Sequence, residues 1–236
     1  MRSFLGFVVF VAVLVAVLVF VVGPVVARPV LEALIRDALP FESETVSVSV
    51  DVGPSLLGGE VDAVTVSGRD LQGADGSIGT LDLTVRGFSI VSRTFEASAG
   101  RLEDVQVRLE DGTATSIDLV ELSGPSDAVA ATATIDAVAT EGLIRSKLAE
   151  RGIVPERVQL VSGAVEVTAG GLTVAAALES RDGGLYFVPE QLVPEVVLWA
   201  PGTTDPWRIT DAGVSEQGLV IEATVNVERL LARSAR

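Results

Sequence analysis

The sequence predicts an α+β fold, mostly antiparallel β: an N-terminal transmembrane helix, then an elongated curved or barrel-like sheet wrapping one or two helices. Three observations predict it. Residues 4–22 form an unbroken apolar run, apolar and polar residues alternate over most of the chain from Val46 to Val227, and one stretch near residue 144 has helical spacing instead. Strands of a parallel sheet, buried on both faces, would read as continuous apolar runs rather than as alternation.

The run Phe4–Val22 carries no charge between Arg2 and Arg28. About 20 apolar residues at 1.5 Å each span a bilayer core of roughly 30 Å. Valine is a poor helix former in water, but in lipid the backbone must satisfy its own hydrogen bonds, so the run is helical there. A cleaved signal peptide has a shorter apolar part, and Pro29 stands close behind the small residue Ala27. The expectation is therefore a retained signal-anchor over residues 1–27, with residues 28–236 as one extracytoplasmic β-rich domain of a single-pass membrane protein. Secretion after cleavage is the alternative.

Pro29–Leu39 reads as a short amphipathic helix, started by Pro29 and ended by Pro40. From Thr45 the period becomes two. Val46, Val48, Val50 and Val52 alternate with Ser47, Ser49 and Asp51, and the same pattern recurs at Val64–Val66, Leu81–Val85, Val105–Leu109, Ile117–Leu119, Val165–Val167, Leu172–Leu178 and Leu219–Val227. Turn sequences such as Glu110-Asp-Gly, Arg181-Asp-Gly-Gly and Glu216-Gln-Gly separate these runs at hairpin spacing, giving roughly ten or more strands. Between them, Leu143, Ile144 and Leu148 make a helical stripe over about Asp136–Glu150 that Gly152 stops. This helix is the natural cover for a curved sheet.

Composition narrows the chemistry. The net charge is −15 with 32 acidic residues, which argues against a nucleic-acid partner and against a polybasic grip on lipid. There is no Cys and no His, so neither disulfides, Ser-His-Asp catalysis nor an ordinary zinc site is available. No nucleotide-binding glycine loop is present. No catalytic residue, metal ligand or cofactor is expected, and the chain reads as a non-enzyme.

Two features stand out as candidate contact sites. Leu56 and Leu57 sit in a Gly53-Pro-Ser-Leu-Leu-Gly-Gly59 frame, where loops are normally polar. Arg145, Lys147 and Arg151 form the densest basic group in an acidic chain, on the side of the helix away from Leu143, Ile144 and Leu148.

The strand ending in Gly53-Pro54-Ser55-Leu56-Leu57, the following Gly59-Glu-Val61-Asp-Ala-Val64-Thr-Val66 strand, the Ala-rich strand and helix at Ala131–Leu148, and Gly183-Gly-Leu-Tyr-Phe-Val-Pro189 resemble the LmeA-like phospholipid-binding family of actinobacteria. Ser55 departs from that family's pattern, which has an aromatic after the proline. The resemblance implies a tubular lipid-binding-like β structure with a long apolar cavity and no catalytic residues. It makes Leu56, Leu57, Leu143, Ile144 and Leu148 candidate lipid contacts, Arg145, Lys147 and Arg151 candidate headgroup contacts, and a membrane phospholipid the partner. The other readings are an envelope interaction module with a filled core, and a carboxylate-based glycan enzyme.

Overall fold

A computed structural model describes residues 46–53, 55, 58–73, 76–108, 114–190, 194–202 and 205–234. The apolar run at 4–22 and the helix expected at Pro29–Leu39 lie outside the described residues. The described chain forms strands β1 (Val46–Asp51), β2 (Glu60–Gly73), β3 (Gly76–Ser89), β4 (Thr94–Arg108), β5 (Ala114–Gly124) and β6 (Val129–Asp136), then helix α1 (Ala137–Glu150). Strands β7 (Arg157–Val161), β8 (Ala164–Ala169), β9 (Leu172–Arg181), β10 (Gly184–Pro189), β11 (Val196–Trp199), β12 (Trp207–Ser215) and β13 (Gly218–Val225) follow, and helix α2 (Val227–Ser234) ends the described chain.

Eight strands make one antiparallel sheet in the order β1-β2-β3-β4-β5-β6-β13-β12, and five make a second in the order β11-β10-β9-β8-β7. The alternation thus predicts the class correctly: mostly antiparallel β with two short helices. Of the expected curved or barrel-like sheet, the barrel-like form is corrected: among the described residues the strands make two sheets and no closed barrel, because β1 and β12 end the larger one without pairing to each other.

Period two explains the strands locally. In β1, Val46, Val48 and Val50 are buried and Ser47, Ser49 and Asp51 exposed, with Val48 opposite Val66 and Val50 opposite Val64 of β2. The longer strands break step. In β3 the buried side chains are Ile78, then Leu81, Leu83 and Val85, then Phe88; in β4 they are Phe95, then Ser98 and Leu102, then Val105 and Val107. Each odd step falls in register with its neighbours. One such row runs through Asp70, Gly79, Asp104 and Asp118, flanked by the pairs Leu71↔Ile78, Ile78↔Val105 and Val105↔Ile117. Asp70 and Asp104 adopt φ of 51° and 53°, a left-handed conformation that a short polar side chain tolerates better than most. Gly79 lies between them, and a Cβ there would come within 2.8 Å of the Asp104 Cβ. The interruption keeps the apolar side chains on both sides of the row in one buried cluster.

The smaller sheet stands on β12. The β7–β8 turn donates Gly163 N–H to the Val214 carbonyl at 3.1 Å, and the β9–β10 turn accepts Ile209 N–H at the Gly183 carbonyl at 2.9 Å. Ser180 Oγ adds a bond to the Ile209 carbonyl at 3.1 Å. The register of β12 against β13 shifts between Ile209 and Asp211, a bulge of the kind that bends a strand and re-aims its groups. Gly183 has φ +79° and would put a Cβ 3.0 Å from Arg208 Cβ, so the turn needs glycine both for its conformation and for its closeness to β12.

Two expectations are corrected in detail. Leu172, read as an inward strand residue, is exposed, because β9 begins there at a hairpin turn (Ala169↔Leu172) beyond the core. The last strand stops at Val225 rather than Val227: Asn226 Oδ1 accepts the Arg229 N–H at 2.7 Å and starts α2, the usual role of asparagine at a helix start. Val227 and Leu230 are buried, and Glu228 accepts from Ser126 Oγ at 2.7 Å.

Gly218, at the start of β13, has φ +150°, and a Cβ there would lie 2.0 Å from the Ile135 carbonyl oxygen. Gly218→Ala is expected to lower stability by about 1–3 kcal/mol or more, the cost of forcing a side chain into such a conformation. Gly213→Ala, which meets nothing within 4 Å, serves as the control in the same chemical denaturation series.

Candidate functional site

Helix α1 is the element on which most candidate residues fall, and local chemistry fixes both its ends. Asp136 accepts the Ala139 N–H at 2.7 Å as N-cap, and Thr140 Oγ1 donates to the Asp136 carbonyl at 2.7 Å. Gly152, with φ +79°, ends it, and the Gly152 and Ile153 N–H groups return to the Ala149 and Leu148 carbonyls. The helix lies in the angle between the sheets, against β5, β6 and β13 of the larger and β7 and β11 of the smaller.

Its buried stripe is Thr140, Ile144 and Leu148, while Leu143 is half-buried. The candidate basic residues lie elsewhere on it. Arg145 is exposed and donates to the Pro155 carbonyl at 3.3 Å; Lys147 pairs with Glu150 at 2.5 Å; Arg151 is exposed. Leu56 and Leu57 lie outside the described residues. The ends of their loop are held: Ser55 Oγ donates to Asp62, and the Ile90 N–H to the Gly59 carbonyl at 2.8 Å. The structure thus groups the helix candidates at one junction of the two sheets.

The inner face of β1–β4 is the other large feature. Val50, Val61, Val66, Leu71, Leu81, Leu83 and Leu102 are essentially inaccessible, and the buried Ser98 donates its hydroxyl to the Gly124 carbonyl at 2.8 Å. A 14-residue strand at about 3.3 Å per residue runs roughly 46 Å. The outer face is wet. It carries a shallow groove of about 510 Å³ lined by Asp82, Thr84, Ala99, Arg101, Glu121 and Thr132 among others, in which Arg101 bonds Glu103 at 2.8 Å and reaches Glu121 at 3.5 Å.

Two features escape sequence reasoning. Trp199 and Trp207 stack with ring centroids 4.3 Å apart, joining β11 to β12. Trp207 is buried, and its indole N–H has no partner among the described residues. Nothing in the spacing of two tryptophans eight residues apart, with a turn between, marks them as a stacked pair. The second feature is Asp118, whose carboxyl is held above its ordinary value by partial desolvation and then by the charges of Asp136 and Asp104. Among the described residues no group of three or more acidic side chains is arranged to hold a metal ion, and no helix is long and apolar enough to cross a membrane.

Comparison with protein-family models, with curated proteins and with solved structures finds no match for this chain.

Two outcomes are expected here. Ile144 is fully buried at the junction, so Ile144→Trp should overpack it and cost about 1–3 kcal/mol in thermal or chemical denaturation; unchanged stability would reveal free space beside the helix. For Asp118 the sign follows from the raised folded-state value. The folded protein binds the proton more tightly than the unfolded chain, so ionised Asp118 disfavours the fold at neutral pH, and the penalty fades as pH falls through the carboxylate range. Asp118→Asn should therefore raise the melting temperature at pH 7 and lose that advantage near pH 4 and below.

Proposed function

We propose that this protein is a membrane-anchored, cell-envelope lipid-binding protein of the LmeA-like kind, holding phospholipid or another acyl-chain lipid against the apolar side of its large sheet. The observation that carries the reading is the inner face of β2–β4. Three strands of 14, 14 and 15 residues present buried side chains that are aliphatic apart from Phe88, Phe95 and Ser98. An acyl chain covers half of a bilayer core of about 30 Å, so this face is long enough to take one lengthwise. Each methylene transferred from water contributes about 0.8 kcal/mol, enough for useful affinity without a headgroup ion pair. The apolar run Phe4–Val22 would hold the domain beside its source of lipid.

The near-complete burial of Val61, Leu71, Leu81 and Leu102 also favours a second reading, an interaction module whose core is filled by the chain itself. The full chain, incubated with a phospholipid carrying a photoactivatable group on its acyl chain, separates them. The lipid-binding reading expects adducts on peptides from β2, β3 and β4. Adducts confined to residues 4–22, or none, would leave the filled-core module.

A further inference from the structure

The inner side of β1–β3 is buried more completely than the described elements account for, and we infer that the amphipathic segment Pro29–Leu39 is its cover. Such a cover goes beyond both readings above, since it names the part of the chain that docks on this face and requires no lipid.

Side chains standing off one side of a sheet are buried by a second layer laid over them, not by their neighbours in the sheet. Over β5, β6 and β13 that layer is α1, and β12 carries the smaller sheet. Helix α2 closes the end near Phe95: the Val227 N–H bonds the Ser126 carbonyl at 2.8 Å, and the Ser126 N–H the Phe95 carbonyl at 3.1 Å. Among the described residues no helix or strand packs over β1, β2 and β3 in this way; their extensive contacts are with their sheet neighbours. Yet Val50, Val66 and Leu81 are 0% exposed, and Leu83 and Val85 1%. The burial is complete within a single chain, so the cover belongs to the same molecule.

The length of chain outside the described residues identifies it. After Val46 each undescribed stretch has five residues or fewer, too short to overlie three strands, whereas 45 residues precede Val46. Within those, residues 4–22 are apolar all round, which suits lipid on every side. Residues 29–39 are apolar on one side only, through Val30, Leu31, Leu34, Ile35 and Ala38, which suits a sheet with one apolar side. The dimensions agree. Eleven helical residues run about 16 Å, and a helix about 10–12 Å across overlies two to three strands spaced about 4.8 Å. Leu81, Leu83 and Val85 span roughly 13 Å along β3. The six residues 40–45 reach up to about 20 Å, enough to turn from the start of β1 over its edge and onto the inner side. The membrane surface is the competing place for an amphipathic helix. Helices that lie there have polar sides rich in Lys and Arg, and this one carries Glu32 and Asp37 against Arg36.

Because the chain has no cysteine, cysteine pairs test the contact directly in the full chain held in phosphatidylcholine vesicles. Leu31→Cys, Leu34→Cys and Ile35→Cys are each combined with Val66→Cys or Leu83→Cys. A disulfide closes only where the Cα atoms come within about 4.4–6.8 Å. At least one of these pairs should oxidise within the chain, while Glu32→Cys and Arg36→Cys in the same combinations stay reduced. Failure of every pair, equal yields from positions 32 and 36, or disulfides formed only between chains would overturn the inference. A second measurement needs no engineered bond. Leu34→Asp with Ile35→Asp should lower the urea midpoint of the detergent-solubilised full chain, and Glu32→Ser with Arg36→Ser should leave it in place. An unchanged midpoint in the aspartate variant would place the segment away from the sheet and overturn the inference as well. Disulfides without photo-adducts on β2–β4 would sink lipid uptake alone; photo-adducts without disulfides would sink the cover alone.

Discussion

The outer edge of β12 is the constraint on which the rest of the architecture depends. On one side it completes the eight-stranded sheet by pairing with β13. On the other it receives the two hairpin turns of the five-stranded sheet, through Val214, Ile209 and Gly183. An exposed sheet edge normally invites another strand, and proteins cover such edges with other structure. Here the cover is a second sheet set end-on, which fixes the angle between the two. That angle is the space α1 fills, and Trp207 closes it from the β12 side by stacking on Trp199. The glycine pair 183–184 makes the arrangement possible: a Cβ at Gly184 would lie 2.6 Å from the Trp199 carbonyl oxygen.

Much of the fold was legible in the sequence because its signal is local. Val46–Val50, Leu81–Val85 and Leu219–Val225 each state their buried face by alternation, and antiparallel neighbours need only short turns between them. Asp136, Ile144, Leu148 and Gly152 likewise announce a capped, one-sided helix. What was not legible depends on pairs distant in sequence. The odd steps at Asp70, Gly79, Asp104 and Asp118 look like noise in any single strand; only the register shows that they form one row. Val227 continues the alternation of β13, and it is Asn226 turning its side chain back to the Arg229 N–H that ends the strand.

The candidate site was legible to a smaller extent. Spacing placed Leu143, Ile144 and Leu148 on one side of a helix, and the structure buries the last two while Leu143 stays half-exposed. Thr140 takes the position at the start of the stripe instead, because its hydroxyl can return to the Asp136 carbonyl and so enter the interior without an unmet hydrogen bond. The basic group read as a single feature divides on folding. Lys147 is neutralised by Glu150 and Arg145 is drawn to Pro155, which leaves Arg151 beside the loop that leads to Arg157.

That division follows from where the fold places the end of α1. The polar face of the large sheet carries Asp82, Glu103, Glu121 and Glu222, so the charge lies on the side away from the core. The strand directions decide which end is free. Both hairpin turns next to β12 are committed to the junction, so the β8–β9 turn and the loop after α1 project from it, with Val154 and Leu172 exposed. The same edge that holds the two sheets together therefore also determines which turns of the smaller sheet are left exposed.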